Sequence, residues 1–509
     1  MIKKRFFEIL PATMAWATFI ALPLLSWKLP FWVALIVILY DFSWFLRIIY
    51  LYLHLRVSFN KMRAYLKVNW LAKLKESGVG FQDIYHLVIL PMYREPHKIV
   101  HETLTKIMEA NYPRDKIMIV LATEGRAGEE AARTALDVQG EFGGHFLRFA
   151  ITEHPFGLPG EIPGKGSNES WAAREAKEKI IDPLGLPYEK VIVSVFDVDT
   201  QIAPEYFGRL TYVFLNCKNP QRSSFQPVPL FVNNVYQAPA FSKIISFFPT
   251  FWQMMQQSRF EQLCTFSSQA MPFKALVEAN YWDTDLVSED ALIFWRFYFR
   301  YDGDWRAEPL YYPVSMDANA APTLLRTAVN LYKQQRRWAW GSEGISYVFT
   351  RYIGNKKIKL KEKIFWMYIL LEGYYSWATA PFIILIAGWL PIYLGGQVFN
   401  ATILSFNLPK ITSYIMTLAM FSLATSAFLS TTLLPTKPGW FKWYHTFIYI
   451  LEWALVPVIL LVFSAFPAVE AQTRLALGGR FRLGFWVTPK SRSESEAALI
   501  SAKTTSKSV

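Results

Sequence analysis

Cysteine is scarce in this sequence, and its scarcity excludes several architectures. The 509 residues include only two cysteines, Cys217 and Cys264, and no C-x-x-C spacing. A disulfide framework and a cysteine-based metal site are therefore not expected, and the chain suits a reducing cytosol. No segment repeats at a fixed period, which argues against solenoids and propellers. Acidic residues are also fewer than basic ones, 40 against 53, so the formal net charge is +13.

Long apolar runs are the most prominent feature that the sequence does have. A bilayer core of about 30 Å requires about 20 helical residues. Four runs meet this requirement and a fifth, the last, does so less clearly: Ile9–Trp27, Pro30–Leu53, Trp377–Leu394, Ile411–Leu434 and Phe447–Phe466. A second run follows the first at once, so the first is an anchor rather than a cleaved signal peptide. The sequence predicts an integral protein of the plasma (inner) membrane, in contact with membrane lipids.

Basic residues around the first two runs predict the topology. Residues 3–5 are all basic, six basic residues lie within 56–75, and only Lys28 stands between the runs. Positive residues stay on the cytoplasmic side, so the N-terminus and the chain after Leu53 are predicted to face the cytoplasm. The excess charge then reflects topology and attraction to anionic lipids. No nucleic-acid partner is expected, because the basic residues flank spans and do not line one soluble face.

Between residue 57 and about residue 362 the chain loses its membrane character. Predicted strands at 85–93, 116–124, 145–153 and 190–199 alternate with helical stretches such as Pro96–Ala110 and Ser167–Ile180. This alternation predicts an α/β domain with a mainly parallel, doubly wound sheet. Ligands of such sheets bind at the carboxyl ends of the strands.

Polar residues collect at those strand ends. Tyr93 and Glu95 follow the first strand, Glu124 ends the second, and Asp197 and Asp199 end the fourth. Two carboxylates directed into one crevice are costly unless a cation offsets them, and oxygen ligands of this kind suit Mg²⁺ or Mn²⁺. An aspartate pair that only forms a turn is the alternative.

A glycine-rich loop, GLPGEIPGKGSNES (157–170), precedes one predicted helix. It is not a Walker loop, because Gly166 follows Lys165 where Ser or Thr is required. Its glycines still allow a phosphate to approach the backbone, with Lys165 as a nearby positive charge. The loop taken alone favours the plainer alternative, a flexible segment with a helix cap at Ser167 or Asn168.

Two further segments combine polar groups with helical patterns. Ser288–Asp290 opens an apolar helical run, where acidic residues are ordinary partners of the helix dipole. A helix predicted over 322–340 places Gln334, Arg337 and Trp338 on one face. Amide and guanidinium groups can hold phosphate or sugar hydroxyls, and an indole can support a pyranose ring. An interfacial helix anchored at lipid heads is an equally good alternative.

His97 and His101 have the i, i+4 spacing of a helical zinc pair. No acidic base accompanies them in the metalloprotease pattern, so the sequence does not favour a metal site there.

These motifs, in this order, resemble the membrane-integrated family 2 glycosyltransferases, such as cellulose synthase and hyaluronan synthase. Asp197–Asp199 matches D-x-D, Ser288–Asp290 matches T-E-D, Gln334–Trp338 matches Q-x-x-R-W, and Phe485–Lys490 matches F-x-V-T-x-K. The resemblance covers nearly the whole chain. It implies a GT-A-type cytoplasmic domain embedded between transmembrane segments.

The resemblance also implies a role for each motif residue. Asp290 would be the general base, Asp199 with Asp197 would bind Mg²⁺ or Mn²⁺, and Trp338 would stack under the acceptor sugar. The nucleotide-sugar donor, by the same resemblance a UDP-sugar, would be bound by a larger group of residues: Tyr93, Glu95, Glu124, Lys165, Asp197, Gln334, Arg337, Thr488 and Lys490. Glu124 stands where the family commonly has Asp.

The implied reaction is inverting transfer of a sugar to a growing polysaccharide, with export through the spans as its extension. Single transfer to a polyprenyl phosphate or another lipid acceptor is the close alternative. A non-catalytic transporter or scaffold with a nucleotide-binding domain is the alternative from another class.

The predicted organisation has six parts. They are two N-terminal transmembrane helices (1–56), the glycosyltransferase domain (57–320), interfacial helices with Q-x-x-R-W (321–374), transmembrane or re-entrant helices (375–467), a cytoplasmic interfacial segment with the F-x-V-T-x-K loop (468–490) and a disordered tail (491–509). That loop reaches a cytoplasmic nucleotide only if the last apolar run does not cross fully. Glu452 and Pro457 interrupt Phe447–Phe466, which is therefore expected to be interfacial or re-entrant.

Three departures from the family leave the transferred sugar open. Ser288 replaces the usual Thr, TFSSQAM (265–271) replaces a more glycine-rich stretch, and EANYWD (278–283) lacks a pair of glycines. Neither cellulose nor hyaluronan is therefore expected as the product on this basis.

Overall fold

A computed structural model describes residues 2–78 and 80–489, without the side chains of residues 2 and 420–423. Lys490 and the predicted tail over 491–509 lie outside the described residues. One eight-stranded sheet organises the domain between the apolar helices, in the order β3-β2-β1-β4-β7-β6-β8-β5. The strands are β1 Tyr85–Pro91, β2 Ile117–Glu124, β3 Arg148–His154, β4 Val191–Val195, β5 Gln201–Ile202, β6 Ser223–Phe231, β7 Ala270–Pro272 and β8 Arg306–Met316.

The four predicted strands form the parallel half of this sheet. β1 pairs with β2 and β4, and β2 pairs with β3, all in parallel. The other half is mixed, because β7 is antiparallel to β4 and β6, β6 is parallel to β8, and β5 is antiparallel to β8. The expectation of a mainly parallel sheet is therefore correct for one half only. The strands of the second half are short or contain prolines, which weakens their signal in the sequence.

Helices cover the sheet and form the apolar part of the protein. They are α1 Ile2–Lys28, α2 Pro30–Tyr65, α3 Trp70–Glu76, α4 His97–Met108, α5 Glu129–Phe142, α6 Lys165–Ala176, α7 Tyr206–Asn216, α8 Ala240–Gln257, α9 Phe273–Glu278, α10 Glu289–Arg300, α11 Leu324–Ala339, α12 Glu343–Gly354, α13 Leu360–Ile386, α14 Leu390–Leu394, α15 Gly396–Asn400, α16 Ile403–Thr432, α17 Trp443–Glu452, α18 Val456–Leu460 and α19 Phe466–Leu477.

Two apolar cores lie on opposite faces of the sheet. Side chains alternate along a strand, so β1 gives Leu87 and Ile89 to one core and Val88 and Leu90 to the other. Helix α6 packs into the first core, while α4 and α5 pack into the second. Strands buried on both faces have nearly continuous apolar sequences, which is why β1, β2 and β4 were predictable.

Within the described residues, five helical segments are long and apolar enough to cross a membrane: Lys3–Lys28, Pro30–Tyr65, Leu360–Leu394, Ile403–Thr432 and Trp443–Leu477. Each contains or overlaps one predicted run. Helix α2 continues to Tyr65, past the domain boundary predicted at residue 56.

The last of these segments contacts elements attached to the sheet at both of its ends. Near its start, Glu452 pairs with Lys243 of α8, with 2.7 Å between the charged atoms. Near its end, Glu470 pairs at 2.6 Å with Arg336 of α11. These contacts fit the expectation that the last apolar run is interfacial or re-entrant, which stays a prediction.

Candidate active site

Lys165 stands at the centre of four carboxylates, which we call the Lys165 cluster. Its Nζ lies 2.9 Å and 3.1 Å from the two oxygens of Asp290 and 3.1 Å from Oδ1 of Asp197. Glu169 and Glu289 complete the cluster, with oxygens 3.5 Å and 3.7 Å from Nζ. The structure therefore brings together Lys165, Asp197 and Asp290, three of the predicted site residues.

Each member of the cluster is held by the end of an element. Asp197 follows β4, Asp290 lies in the first turn of α10, and Lys165 is the first residue of α6. The helix thus begins before Ser167 and Asn168, so the predicted cap at those two positions is wrong. Their side chains bond elsewhere: Ser167 donates to the carbonyls of residues 162 and 164, and Asn168 donates to Ala122.

Close packing joins α6 to α10. A Cβ on Gly166 would lie 3.0 Å from the Cβ of Glu289 and 3.2 Å from the carbonyl oxygen of Asp283. Only glycine allows the two helix starts to approach this closely without a shift. This approach places Lys165 within reach of Asp290.

Burial and charge together set the ionisation of the cluster. Burial alone would lower the pKa of Lys165, but the surrounding carboxylates raise it well above its ordinary value, so Lys165 stays charged. Burial raises the pKa of Glu289 to about 7, with Asp290 contributing in the same direction. Burial also raises the pKa of Glu169 well above its ordinary value. Lys165 therefore carries the positive charge of the cluster, and the raised pKa values of Glu169 and Glu289 favour protonation of these two carboxyls.

The cluster also offers oxygen ligands to a cation. Glu169, Glu289 and Asp290 each place an oxygen within 4.8 Å of the others. Asp197, whose side chain is 31% exposed, accepts a hydrogen bond of 2.6 Å from Ser267. Asp199 is fully buried behind it, and its Oδ2 accepts from the backbone N–H of Asp317 at 3.1 Å.

Three of the predicted donor-binding residues, Tyr93, Glu95 and Glu124, form a neighbouring group at the ends of β1 and β2. The carboxylate of Glu124 pairs with Arg126, whose guanidinium lies 4.9 Å from the centre of the Tyr93 ring. Glu95 accepts hydrogen bonds from the backbone N–H groups of Tyr93 and Arg94. The bond from Asn168 to Ala122, described above, connects this group to the first turn of α6.

Helix α11 presents three predicted residues to different neighbours. Gln334 accepts a hydrogen bond of 3.4 Å from Asn319, which follows β8. The ring of Trp338 lies 6.0 Å from that of Phe231 and 6.3 Å from that of Phe266, the residue before Ser267. Arg337 is close enough to Glu289 to lower its pKa, against the stronger effect of burial. The Nε of Arg337 is buried and has no hydrogen-bond partner among the described residues.

The segment before Lys490 returns to this site. Arg337 lies 4.8 Å from the centre of the Phe485 ring, and that ring also packs against Gly164. Thr488 is buried, and its hydroxyl has no partner in the part of the chain that the structure describes. A small space beside it is lined by Asn234, Asp317, Ala318, Asn319, Ala320, Gln334, Thr488 and Pro489.

Three residues in the segments 265–271 and 278–283 have a backbone conformation typical of glycine. Ser268 has φ 63°, and Asn280 and Tyr281 have φ 57° and 60°. These values lie in the left-handed region, which costs an ordinary L-residue about 1–2 kcal/mol.

The structure adds residues that the motifs did not single out. Glu169 is fully buried in the cluster, and its position one helical turn after Lys165 was the available signal. Glu343 is buried and accepts hydrogen bonds from the backbone of Val287 at 3.1 Å and from the indole of Trp340 at 3.0 Å. It thereby ties the loop before Asp290 to the end of α11, a contact without a local sequence signal.

Neither protein-family models nor curated proteins match this chain. Among solved structures, it is similar to the mannosyltransferase PcManGT from Pyrobaculum calidifontis in complex with GDP-Man and Mn²⁺, with 16% identity, a TM-score of 0.41, and coverage of 84% of this chain and 98% of that chain. It is also similar to S. aureus TarS 1–349 in complex with UDP-GlcNAc, with 13% identity, a TM-score of 0.38, and coverage of 70% and 93%. At these identities and scores the likeness assigns no activity or ligand to this chain.

Proposed function

We propose that this protein is an inverting, metal-dependent membrane glycosyltransferase that moves a sugar from a nucleotide-diphosphate donor, a UDP-sugar, to a growing polysaccharide. One observation supports this above the others: Lys165, Asp197 and Asp290, which are far apart in the sequence, meet at the ends of three elements. The motif order described above, with its resemblance to family 2 glycosyltransferases, gives each of them a role.

Asp290 is the proposed general base. Its carboxylate removes the proton from an acceptor hydroxyl, and that oxygen forms a bond to the anomeric carbon of the donor sugar. The bond from this carbon to the diphosphate oxygen breaks on the opposite face, so the configuration inverts and the nucleoside diphosphate leaves. General-base catalysis of this kind typically contributes about 10²–10⁴-fold. Lys165 holds this carboxylate in place, with Nζ 2.9 Å from Oδ1.

Positive groups beside the base are proposed to receive the diphosphate. The Nε of Arg337 is buried without a partner in the described part of the chain, and a buried donor of this kind is costly unless a ligand satisfies it. A guanidinium can bind phosphate oxygens in a bidentate manner. Lys165 would exchange part of its contact with Asp197 for the same diphosphate.

Asp199 with Asp197 is the proposed holder of Mg²⁺ or Mn²⁺, in keeping with the preference of these ions for carboxylate oxygens. Asp197 is partly exposed beside Lys165, whereas Asp199 is buried against Asp317. When bound, the ion would neutralise part of the negative charge of the departing diphosphate.

Trp338 is proposed to support the acceptor sugar. It is half-buried beside Phe231 and Phe266, so an indole face near the cluster can pack against a pyranose ring. An acceptor held in this way can remain bound between transfers, which favours elongation over single transfer to a lipid. Product length on gels separates the two, since a lipid carrying one sugar would exclude elongation.

The decisive test is a donor screen on the purified protein with Mg²⁺ or Mn²⁺, in which nucleotide diphosphate release is measured for UDP- and GDP-sugars. Release with one donor is expected, and Asp290→Asn should abolish it while donor binding persists. Asp285→Asn is the matched control, because Asp285 is exposed in the same loop. No release with any donor would favour a transporter or scaffold, and full turnover of Asp290→Asn would remove Asp290 from the role of base.

A further inference from the structure

His97, His101 and Glu141 meet at the surface, where the start of α4 lies beside the end of α5. The Nε2 of His97 lies 2.9 Å from Oε1 of Glu141, and the Nε2 of His101 lies 3.5 Å from Oε2 of the same carboxylate. The three side chains are 41–46% exposed. None of them belongs to the Lys165 cluster or to the residues proposed for donor binding.

The orientation of both imidazoles is supported by their surroundings. His97 and His101 are one helical turn apart, and their ring centres are 5.6 Å apart. The His101 ring packs edge-on against the buried Phe142 at 5.1 Å. The hydroxyl of Thr105 lies 3.5 Å from Nδ1 of His101, on the side of the ring away from the carboxylate contact. A partner on the second ring nitrogen is typical of histidines that bind metals.

The chemistry of the three groups is that of a transition-metal site. Two imidazole nitrogens and one carboxylate oxygen are ligands that Zn²⁺ accepts in three-ligand sites with a remaining position for water. The sequence supplied the histidine pair without an acidic residue in the metalloprotease pattern, and α5 supplies Glu141 from 40 residues further along the chain. Both histidines already direct Nε2 at one carboxylate, so a cation bound there would replace the protons that these contacts now share.

We propose that His97, His101 and Glu141 bind a divalent transition-metal ion of the Zn²⁺ class. The two imidazoles contact different oxygens of Glu141, and rotation of these exposed side chains would bring the two nitrogens and one oxygen onto a single ion. The bound ion would link α4 to α5. Because α4 begins two residues after Glu95, the link would also restrain the segment Tyr93–Glu95 at the end of β1.

Metal titration of the full chain tests this proposal. The protein is purified in detergent without a histidine tag, stripped with a chelator and titrated with Zn²⁺ by calorimetry. One equivalent that depends on His97, His101 and Glu141 is expected for the wild type. Loss of an outer partner alone typically costs about 10–100-fold in metal affinity, so His97→Ala, His101→Ala and Glu141→Gln should each weaken binding by at least that much. With Cu²⁺ as the probe, electron paramagnetic resonance should show nitrogen coupling that these histidine variants reduce.

Matched control variants distinguish this site from other side chains that could bind Zn²⁺. His145→Ala and Glu130→Gln remove an exposed histidine and an exposed α5 carboxylate, and they should leave the titration unchanged. Asp290→Asn should also leave it unchanged, which distinguishes the site from the Lys165 cluster. Thermal unfolding of each variant checks that the chain is folded. Equal Zn²⁺ binding by the wild type and the His97→Ala/His101→Ala double variant would overturn the proposal and leave a simple surface ion pair.

Discussion

Lys165 and Asp290 form an ion pair in which Nζ lies 2.9 Å from Oδ1 and 3.1 Å from Oδ2. The pair joins the first residue of α6 to the first turn of α10, two helices separated by more than a hundred residues of sequence. Lys165 is 9% exposed and Asp290 25%, so the contact is shielded on one side and open on the other. This accessible carboxylate beside a shielded cation is the arrangement on which our proposal of Asp290 as general base rests.

Removal of the central cation should destabilise the protein and reduce transfer. Lys165→Gln leaves buried carboxylates without their counter-charge, and breaking a buried pair in this way typically costs about 3–5 kcal/mol. Thermal unfolding in detergent and nucleotide release measure the two effects. Lys177→Gln is the control, because its partner Asp182 is 40% exposed, and pairs of this kind contribute about 0–1 kcal/mol. If both variants unfold at the same temperature, Lys165 does not neutralise the cluster.

Glu343 should make stability depend on pH. Burial raises its pKa from 4.5 to about 7, so the folded state binds the proton more tightly than the unfolded state. The stability from this group is fully present below pH 4.5 and is lost as the pH rises through about 7, by on the order of 3 kcal/mol.

Melting temperatures of the wild type and Glu343→Gln at pH 5 and pH 8 measure this effect. The amide cannot accept hydrogen bonds through its nitrogen, so the variant should be less stable than the wild type by about 1 kcal/mol at pH 5. Between pH 5 and pH 8, the free energy of unfolding should fall less for Glu343→Gln than for the wild type. Glu289 titrates with the same sign in both proteins and cancels in the comparison. Parallel pH profiles would contradict the assignment.

Gly164 should be required for the position of Phe485. A Cβ at residue 164 would lie 2.6 Å from Cγ of the Phe485 ring, so Gly164→Ala should displace the segment before Thr488 and raise the donor KM several-fold. The three nearest atoms that this Cβ would meet are Cγ, Cβ and Cδ1 of Phe485, so Gly164→Ala/Phe485→Gly should behave like Phe485→Gly alone. Gly144→Ala is the control, because its Cβ would meet nothing within 4 Å. Additive effects of the two substitutions would disprove the contact.

Ser268 should carry backbone strain. Its φ of 63° is unfavourable for any residue with a Cβ, and its hydroxyl lies 3.2 Å from that of Thr200. Ser268→Gly and Ser268→Ala both remove the hydroxyl, but only glycine relieves the backbone. After the entropy of the unfolded glycine is included, the glycine variant should be more stable by about 1 kcal/mol. Equal unfolding temperatures would show that the backbone adjusts.

The segment after α19 should face the cytoplasm. Gly484→Cys, in a background without the two natural cysteines, should react with an impermeant thiol reagent only from the cytoplasmic side, because Phe485 and Thr488 contact the site. Lys28→Cys, between the first two spans, is the control for the opposite side. Reaction of Gly484→Cys from outside would mean that Trp443–Leu477 crosses completely and that the contacts of Phe485 with Gly164 do not form in the membrane.

The residues of the site were visible in the sequence to different degrees. Asp197, Lys165 and Asp290 each stand beside a local signal: a strand end, a glycine-rich loop or a helix start. Their contact was not visible, because it depends on how α6 and α10 pack, which Gly166 permits through a close approach. Glu343 had no signal for its contact with Val287, which lies 56 residues earlier in the chain, whereas its other partner, Trp340, is only three residues away.

The sequence by itself determined the elements whose cause is local. Doubly buried strands such as β1 and β4 require continuous apolar runs, and membrane-length helices require their length and composition. The mixed half of the sheet was decided only by the tertiary structure, because β6 and β8 are stabilised by pairing with each other despite their prolines. The same holds for the two charged centres, Lys165 among its carboxylates and Glu141 between His97 and His101. Both centres join residues that are distant in the sequence. Their contacts depend on how the helices pack, which the spacing of residues along the chain does not specify.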